Sequence, residues 1–253
     1  MHFKKTDLEK EHINNLLNVE YLTYNLSPFR FWYRHFLKYH NKIKGDLIEL
    51  GVFNGRSLLT MALLLKKMKS KKVIYGFDTF SGFPSISTED HLQNFSNRKY
   101  FSKSHLIESK KNERLKRLFS DEKINVLNIS SSKNFSTSSL EILKKKIKLF
   151  NLDNIKFIKG DICKTLPKFF EKNPKIRVFS CNFDVDLYMP YKVGLPLVWR
   201  KLSKRGFIHL DEYYSLKFAG PKIATDDFLK KNNIQVKKNK TRKNEFKRFY
   251  LQK

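Results

Sequence analysis

Short apolar runs alternate with amphipathic stretches along most of the chain, and this alternation constrains the fold more than any other feature. The apolar runs predict a buried strand at 46–53 and further strands at 72–78, 155–159, 177–184 and 206–211. Helical periodicity follows at 57–67, 166–172, 191–202 and 223–231. Strands that alternate with helices indicate a doubly wound α/β fold, with a mostly parallel sheet between helices on both faces. Two last strands, at 234–238 and 246–251, are expected to pair antiparallel and to bring the sheet to seven strands.

The length of 253 residues suits a single domain with two additions. Residues 1–44 predict an N-terminal helical cap, with helices at 8–26 and 27–39, whose aromatic side chains are expected to cover the sheet or a partner subunit in a homo-oligomer. Between 85 and 139 the periodic pattern fades, apart from one helical stretch near 110–119. A structureless loop of this length is uncommon in a compact domain, so we expect an insertion or lid over the active site.

A helix at 140–150 follows this segment, with Ser138 and Glu141 as an expected capping box.

Neither a membrane span nor a disulfide framework is predicted. The longest apolar run, at 57–65, is far shorter than the ~20 residues that cross a bilayer, and the charged N-terminal stretch contains no apolar signal segment. Cys163 and Cys181 lie in no CxxC motif and are expected to be core cysteines. These features predict a soluble, cytoplasmic protein.

The charge is strongly unbalanced, since 52 Lys and Arg against 24 Asp and Glu give a net charge of +28. Such an excess is typical of proteins that bind nucleic acid or another polyanion. Basic stretches at 66–72, 144–146 and 237–248 would supply the contacts, so a nucleic-acid methyltransferase or binding protein is the alternative function. The chain carries no recognisable RNA-binding module, however, and its abundant Lys, Asn, Ile, Phe and Tyr also fit a codon bias laid over an ordinary fold. Nucleic acid is therefore not the expected partner.

Acidic residues are scarce, so their positions are informative. Ligands of open parallel sheets bind beyond the carboxyl ends of the strands. Seven of the 24 acids fall at or just after the ends of predicted strands: Glu49, Asp78, Asp161, Asp184, Asp186, Asp211 and Glu212. A solvated surface would scatter them over helix faces, so their clustering predicts a functional site on this edge of the sheet.

The turn after the first strand runs from Glu49 to Ser57 and contains Gly51 and Gly55. It lacks the GxGxxG spacing of dinucleotide-binding proteins, which argues against a nicotinamide dehydrogenase. Gly51 would let a ligand approach the backbone closely. Asp78 ends the second strand, where it either accepts hydrogen bonds from both hydroxyls of a ribose or caps a helix.

Asp184 and Asp186 follow one predicted strand, and Asp211 and Glu212 follow the next. Four carboxylates that converge would repel one another and raise each other's pKa. A hard divalent cation relieves this repulsion, and Mg²⁺ prefers carboxylate and water oxygens. The two motifs therefore predict a site for Mg²⁺ or another divalent cation, with two unrelated helix caps as the alternative.

Five regions carry a family resemblance, in order along the chain: IELGVFNGRSLLTMA (48–62), YGFDTFSGFP (75–84), FIKGDICKTLP (157–167), FDVDLYMPY (183–191) and GFIHLDEYYS with AGPKIATDDF (206–228). On these residues the chain resembles the macrocin O-methyltransferase (TylF/MycF) family of class I S-adenosylmethionine-dependent methyltransferases. The resemblance spans about 45–229, and nothing in it matches 85–139. It implies a Rossmann-like fold, S-adenosylmethionine and a divalent metal as cofactors, and methyl transfer to a sugar hydroxyl of a glycoside or a nucleotide-linked deoxysugar.

The resemblance also implies roles for single residues. The methionine end of the cofactor is expected at Glu49 and Gly51, its ribose at Asp78 and its adenine at Asp161 and Ile162. The expected cofactor site is completed by Asn54, Gly55 and Ser57. Metal ligation is implied for Asp184, Asp211 and Glu212, although the family more often has Asp at the last of these positions.

The catalytic base is expected to be either Asp186 or Asp184. His209 lies one residue inside its strand and is expected to face the core or a helix. Three tyrosines flank the acidic motifs and either line the acceptor pocket or serve as ordinary aromatic packing: Tyr188, Tyr213 and Tyr214.

Overall fold

The computed structural model describes residues 12, 14–243 and 245–253. Seven strands form one sheet: β1 (Asp46–Leu50), β2 (Ile74–Asp78), β3 (Ile155–Lys159), β4 (Val178–Phe183), β5 (Leu202–Leu210), β6 (Lys237–Lys238) and β7 (Phe249–Gln252). Their order across the sheet is β3–β2–β1–β4–β5–β7–β6. The first five run parallel, whereas β7 is antiparallel to β5 and β6. The predicted seven-stranded α/β sheet with an antiparallel C-terminal pair is thus confirmed.

Helices cover both faces of this sheet. Those with both ends described are α1 (Arg30–Tyr39), α2 (Arg56–Lys67), α3 (Lys103–Arg117), α4 (Leu140–Leu149), α5 (Ile162–Lys172), α6 (Tyr188–Lys201) and α7 (Gly220–Asn232). The apolar side chains of α5, α6 and α7 pack on one face, and those of α1, α2 and α4 on the other. In the described part of the chain, no helix has the length and apolar character needed to cross a membrane.

The aromatic helix α1 covers the sheet within its own chain. Trp32, Tyr33 and Phe36 are fully buried, and Trp32 Nε1 donates a hydrogen bond of 2.9 Å to Ser180 Oγ on β4. The sheet-covering alternative is therefore observed, and the homo-oligomer stays a prediction. The helix predicted at 8–26 begins outside the described residues, and its last part is a 3₁₀ turn at Tyr21–Thr23 instead.

Side-chain caps set the first residues of two helices. Helix α5 begins at Ile162 rather than 166 because the Asp161 carboxylate accepts the Cys163 N–H at 2.9 Å. Helix α4 is capped by Ser139, whose Oγ accepts the Ile142 N–H at 3.3 Å. The predicted cap at Ser138 is wrong, and that hydroxyl is buried without a partner among the described residues.

The segment 85–139 contains more regular structure than predicted and packs against the main domain. It includes two 3₁₀ turns and the whole of α3. Ile124, Val126 and Ile129 form a buried cluster with Phe218, which lies between β5 and α7. Asp90, fully buried, accepts the N–H of Ser87 at 2.9 Å and that of Tyr188, the first residue of α6, at 2.6 Å. The segment is therefore attached to both loops that carry the acidic motifs.

Candidate active site

A cavity of about 530 Å³ lies at the carboxyl ends of β1, β2 and β4. Of the seven acids predicted at the ends of strands, five line this cavity: Asp78, Asp161, Asp184, Asp186 and Glu212. Asp211 lies beside them, and Glu49 is buried beneath the turn. The parallel arrangement of β1–β5 brings these acids together, because each follows a strand whose carboxyl end meets the same edge of the sheet.

Gly51 forms the cavity wall where the first turn approaches the loop after β4. Its φ of +84° is in the left-handed region, and a Cβ at this position would overlap the carbonyl oxygen of Asp184. Only glycine fits such a conformation without strain. Its backbone N–H donates to Phe77 O at 2.9 Å, which holds the turn against β2.

The Asp78 carboxylate faces the cavity and also fixes the two loops around it. Oδ2 accepts the N–H of Val52 at 2.7 Å and of Phe53 at 2.8 Å, and Oδ1 accepts the N–H of Phe80 at 2.7 Å. A carboxylate has about four acceptor positions. Thr79 Oγ1 also lies 3.5 Å from Oδ1, but its hydroxyl donates more closely to Gly82 O, at 2.6 Å. One acceptor position is therefore left for a ligand, so Asp78 is expected to bind one ribose hydroxyl rather than both. It does not cap a helix, the predicted alternative.

Four predicted cofactor-binding residues support the turn without lining the cavity: Glu49, Asn54, Gly55 and Ser57. Glu49 Oε1 accepts hydrogen bonds from Ser57 Oγ at 2.5 Å and from Asn182 Nδ2 at 2.9 Å, while its buried Oε2 has no partner among the described residues. Burial raises the pKa of Glu49 to about 8, so this carboxyl is protonated at neutral pH. Contact of these four residues with a cofactor stays a prediction. By contrast, Asp161 and Ile162 do line the cavity.

The predicted metal ligands lie together. Asp184, Asp211 and Glu212 each place one carboxylate oxygen within 4.8 Å of the others. Asp186 lines the same cavity but is not part of this group of three. The two acidic motifs meet because β4 and β5 are adjacent, with Phe183 opposite Leu210 in register.

The electrostatics of this cluster are those of crowded, partly buried acids. Burial raises the pKa of Asp184 well above its usual range, and Asp211 and Asp186 raise it further. Burial and the charge of Glu212 likewise raise the pKa of Asp186. The pKa of Glu212 is raised to about 7 by burial and by Asp211. Carboxyl groups in such surroundings favour a bound cation.

Arg248, just before β7, is a site residue that the sequence did not reveal. Its Nη1 lies 2.6 Å from Asp211 Oδ1, and its side chain is only 14% exposed. Burial raises the pKa of Asp211, but Arg248 and His209 outweigh burial and lower it to about 2. The end of the stretch 237–248 therefore points inward, contrary to its predicted role as a surface contact for nucleic acid. Arg248 reaches Asp211 because β7 pairs with β5 in the sheet. The sequence does not give this strand order, so it could not place Arg248 in the site.

Other side chains in the wall come from outside the predicted motifs. Lys217 lines the cavity, and its positive charge lowers the pKa of Asp186 and of Glu212, against the larger effect of burial. Ser130, Ser131, Ser132 and Phe135 line it from the segment 85–139. Their only sequence signal was their place in the expected lid.

The three tyrosines and His209 have packing contacts. Tyr213 Oη donates to Asp226 at 2.7 Å, and Tyr214 stacks on His105 with ring centroids 4.2 Å apart. Tyr188 is buried at the start of α6, and no tyrosine of this set lines the cavity. His209 is fully buried, with Nε2 at 3.5 Å from Asp211 Oδ1. Of the two predicted roles for the tyrosines, the structure favours aromatic packing.

Comparison with known proteins identifies the class to which this fold and site belong. A family model described as a methyltransferase domain matches residues 48–213. The match covers more than half of the chain, so the chain belongs to this methyltransferase family. No curated protein sequence matches it.

Solved structures show the same fold. The O-methyltransferase NovP is 19% identical with a TM-score of 0.61, over 90% of this chain and 79% of NovP. CalS11, a calicheamicin methyltransferase, is 21% identical with a TM-score of 0.60, over 100% of this chain and 94% of CalS11. An O-methyltransferase from Bacillus cereus is 11% identical with a TM-score of 0.51, over 99% of this chain and 91% of that protein. At these identities the likeness establishes a Rossmann-like methyltransferase fold.

Proposed function

We propose that this chain is an S-adenosylmethionine-dependent O-methyltransferase of the TylF/MycF type that acts on a sugar hydroxyl. The observation that carries the proposal is the cavity beside Gly51, which Asp184 and Glu212 line and where an Asp211 oxygen lies within 4.8 Å of theirs. The structural neighbour CalS11 is described as a TDP-rhamnose 3'-O-methyltransferase, which favours a nucleotide-linked sugar here as well. A cytoplasmic location is part of the proposal, because Cys163 and Cys181 are free thiols.

The cavity suits S-adenosylmethionine in size and chemistry. Its volume of about 530 Å³ is in the usual range for small-molecule sites. Gly51 leaves the backbone open to the methionine end, and one acceptor position of Asp78 is free for a ribose hydroxyl. The adenine would lie at Asp161 and Ile162. The segment 85–139 would act as the lid, since Ser130 to Ser132 already lie in the cavity wall.

A divalent cation suits the acidic cluster. The pKa of Asp184 and of Glu212 is raised by burial and by neighbouring acids, and a bound cation would favour their carboxylate forms. Asp184, Asp211 and Glu212 would hold the ion, with hard oxygen atoms of the kind that Mg²⁺ takes. When bound, such an ion polarises an acceptor oxygen and favours its deprotonation.

The residues of the chain would orient the acceptor and remove its proton. In the proposed reaction the hydroxyl oxygen attacks the methyl carbon of the sulfonium, a C–O bond forms and the C–S bond breaks, and the electron pair leaves with sulfur as S-adenosylhomocysteine. Asp186 is the carboxylate in the cavity that lies outside the group of three, so we assign it as the base that takes the hydroxyl proton.

A product assay tests the proposal. The chain is incubated with S-adenosylmethionine, Mg²⁺ and a panel of nucleotide-linked sugars, simple glycosides and RNA, and the products are weighed by mass spectrometry. We expect one added methyl group on a nucleotide-linked sugar and loss of the activity with EDTA. Activity that persists in EDTA would refute metal dependence alone. Methylation of RNA and of no sugar would refute the claim that a sugar hydroxyl is the methyl acceptor.

A further inference from the structure

The outer face of α3, together with the two residues that follow the helix, exposes an unusual set of side chains. Phe119 is 84% exposed, Leu118 74%, Ile107 58% and Leu115 50%. The same exposed face carries five basic side chains: Lys103, Lys110, Lys111, Arg114 and Arg117. We call these nine residues the basic–apolar face.

None of the nine residues of this face is acidic, and of its five basic side chains only Arg117 is paired with an acid of α3. The two acids of α3 are both half-buried. Glu108 accepts a hydrogen bond from Tyr214 Oη, and Glu113 pairs with Arg117 at 2.5 Å. The next acids, Asp121 and Glu122, lie beyond Phe119 in the sequence. The face therefore presents positive charge and large apolar side chains to solvent together.

The opposite side of α3 is fixed to the main domain. His105 is buried, and its Nε2 donates to the carbonyl oxygen of Ser215 at 2.7 Å. Ser109 is buried one turn further along. Because the inner side holds the helix in place, the basic–apolar face points outward as a preformed surface.

We propose that the basic–apolar face docks this protein onto a bilayer that contains anionic phospholipid. Basic side chains mixed with exposed Leu, Ile and Phe on one surface would bind the headgroups of anionic lipids while the apolar side chains insert between them. Each basic residue near an anionic surface strengthens binding roughly fivefold. A nucleic acid would use the charges but would leave aliphatic Ile107, Leu115 and Leu118 in water.

Vesicle co-sedimentation of the full chain tests this proposal independently of methyl transfer. Vesicles of phosphatidylglycerol mixed with phosphatidylcholine are compared with vesicles of phosphatidylcholine alone. We expect binding to the anionic vesicles only, weakened at high salt. The double variant Leu118→Ser/Phe119→Ser and the double variant Lys110→Glu/Lys111→Glu should each weaken it at least about tenfold.

Matched controls separate this face from the general charge of the protein. Leu149→Ser removes a leucine that is 69% exposed at the end of α4, and Lys230→Glu/Lys231→Glu changes the net charge by the same amount at the exposed end of α7. Both should bind vesicles like the unmodified chain. Absence of binding to anionic vesicles would overturn the proposal, as would an equal loss of vesicle affinity in the control variants. It would also be overturned if the residues of the basic–apolar face bound RNA but not vesicles.

Discussion

Glu49 and Asp78 end neighbouring strands beside the same turn, yet their surroundings differ. Asp78 lines the cavity and accepts three backbone N–H groups. Glu49 is fully buried and its Oε2 has no partner among the described residues, so the pKa of Glu49 is raised from 4.5 to about 8. The sequence placed both acids on the rim, but only the packing around Glu49 distinguishes a buried support from a residue of the cavity wall.

Glu49 should make stability depend on pH. Because its folded-state pKa is raised, its contribution to the free energy of unfolding is fully present below its unfolded pKa of 4.5 and is lost as the pH rises through about 8. Glu49→Gln mimics the protonated form and removes this dependence. Between about pH 5 and pH 8 the unmodified chain should lose ~3 kcal/mol relative to the variant, measured by urea unfolding. Parallel pH profiles for the two proteins would show that Glu49 does not titrate in this way.

Mutation of the two acids in the loop after β4, Asp184 and Asp186, should have different effects on metal binding. Asp186→Asn removes the proposed base and should lower kcat by about 10²–10⁴-fold while Mn²⁺ affinity stays unchanged. Asp184→Asn removes a proposed metal ligand and should weaken Mn²⁺ binding as well as turnover. Calorimetric titration with Mn²⁺ and turnover assays on both variants check this. If Asp186→Asn lost Mn²⁺ binding and Asp184→Asn kept it, the two assignments would have to be exchanged.

At the scale of elements, β1 and β4 were predictable because they are short, largely apolar and buried. The bounds of β3 match the prediction. The start of α5 was missed because the Asp161 side chain caps the helix four residues earlier. Helices α6 and α7 each begin three residues before the predicted start without a side-chain cap. The segment 85–139 was not predictable, because its order comes from tertiary contacts. Ile124, Val126 and Ile129 are apolar without periodicity, and they are buried because Phe218 is opposite them.

Asp90 should be the polar anchor of that segment. Its two oxygens accept the N–H groups of Ser87 and Tyr188, and an Asn at this position would direct an NH₂ group at one of these donors. Asp90→Asn should therefore cost about 1–3 kcal/mol of stability and speed proteolysis within 85–139. Limited trypsin digestion with mass analysis measures this, with Glu89→Gln as the adjacent control. Equal cleavage rates for the three proteins would show that Asp90 does not hold the segment.

At the scale of the whole molecule, the charge of +28 is divided between two environments. Most of the basic residues are on the surface, as on the outer face of α3. Arg248 instead lies inside and stabilises the carboxylate form of Asp211, within the largest group of acids in the described structure. The sequence predicted that group from strand ends, but it could not place Arg248, because the position of β7 beside β5 depends on the folded sheet.

The central claim is that the cavity at the carboxyl ends of the strands binds S-adenosylmethionine, and calorimetric titration with that compound tests it most directly. We predict saturable binding of one molecule per chain, weakened at least about tenfold by Asp78→Ala through loss of the ribose contact and of the loop hydrogen bonds. Asp211→Ala should bind it like the unmodified chain, because Asp211 is placed at the metal. Absence of any binding by the folded, unmodified chain at about millimolar ligand would contradict the account.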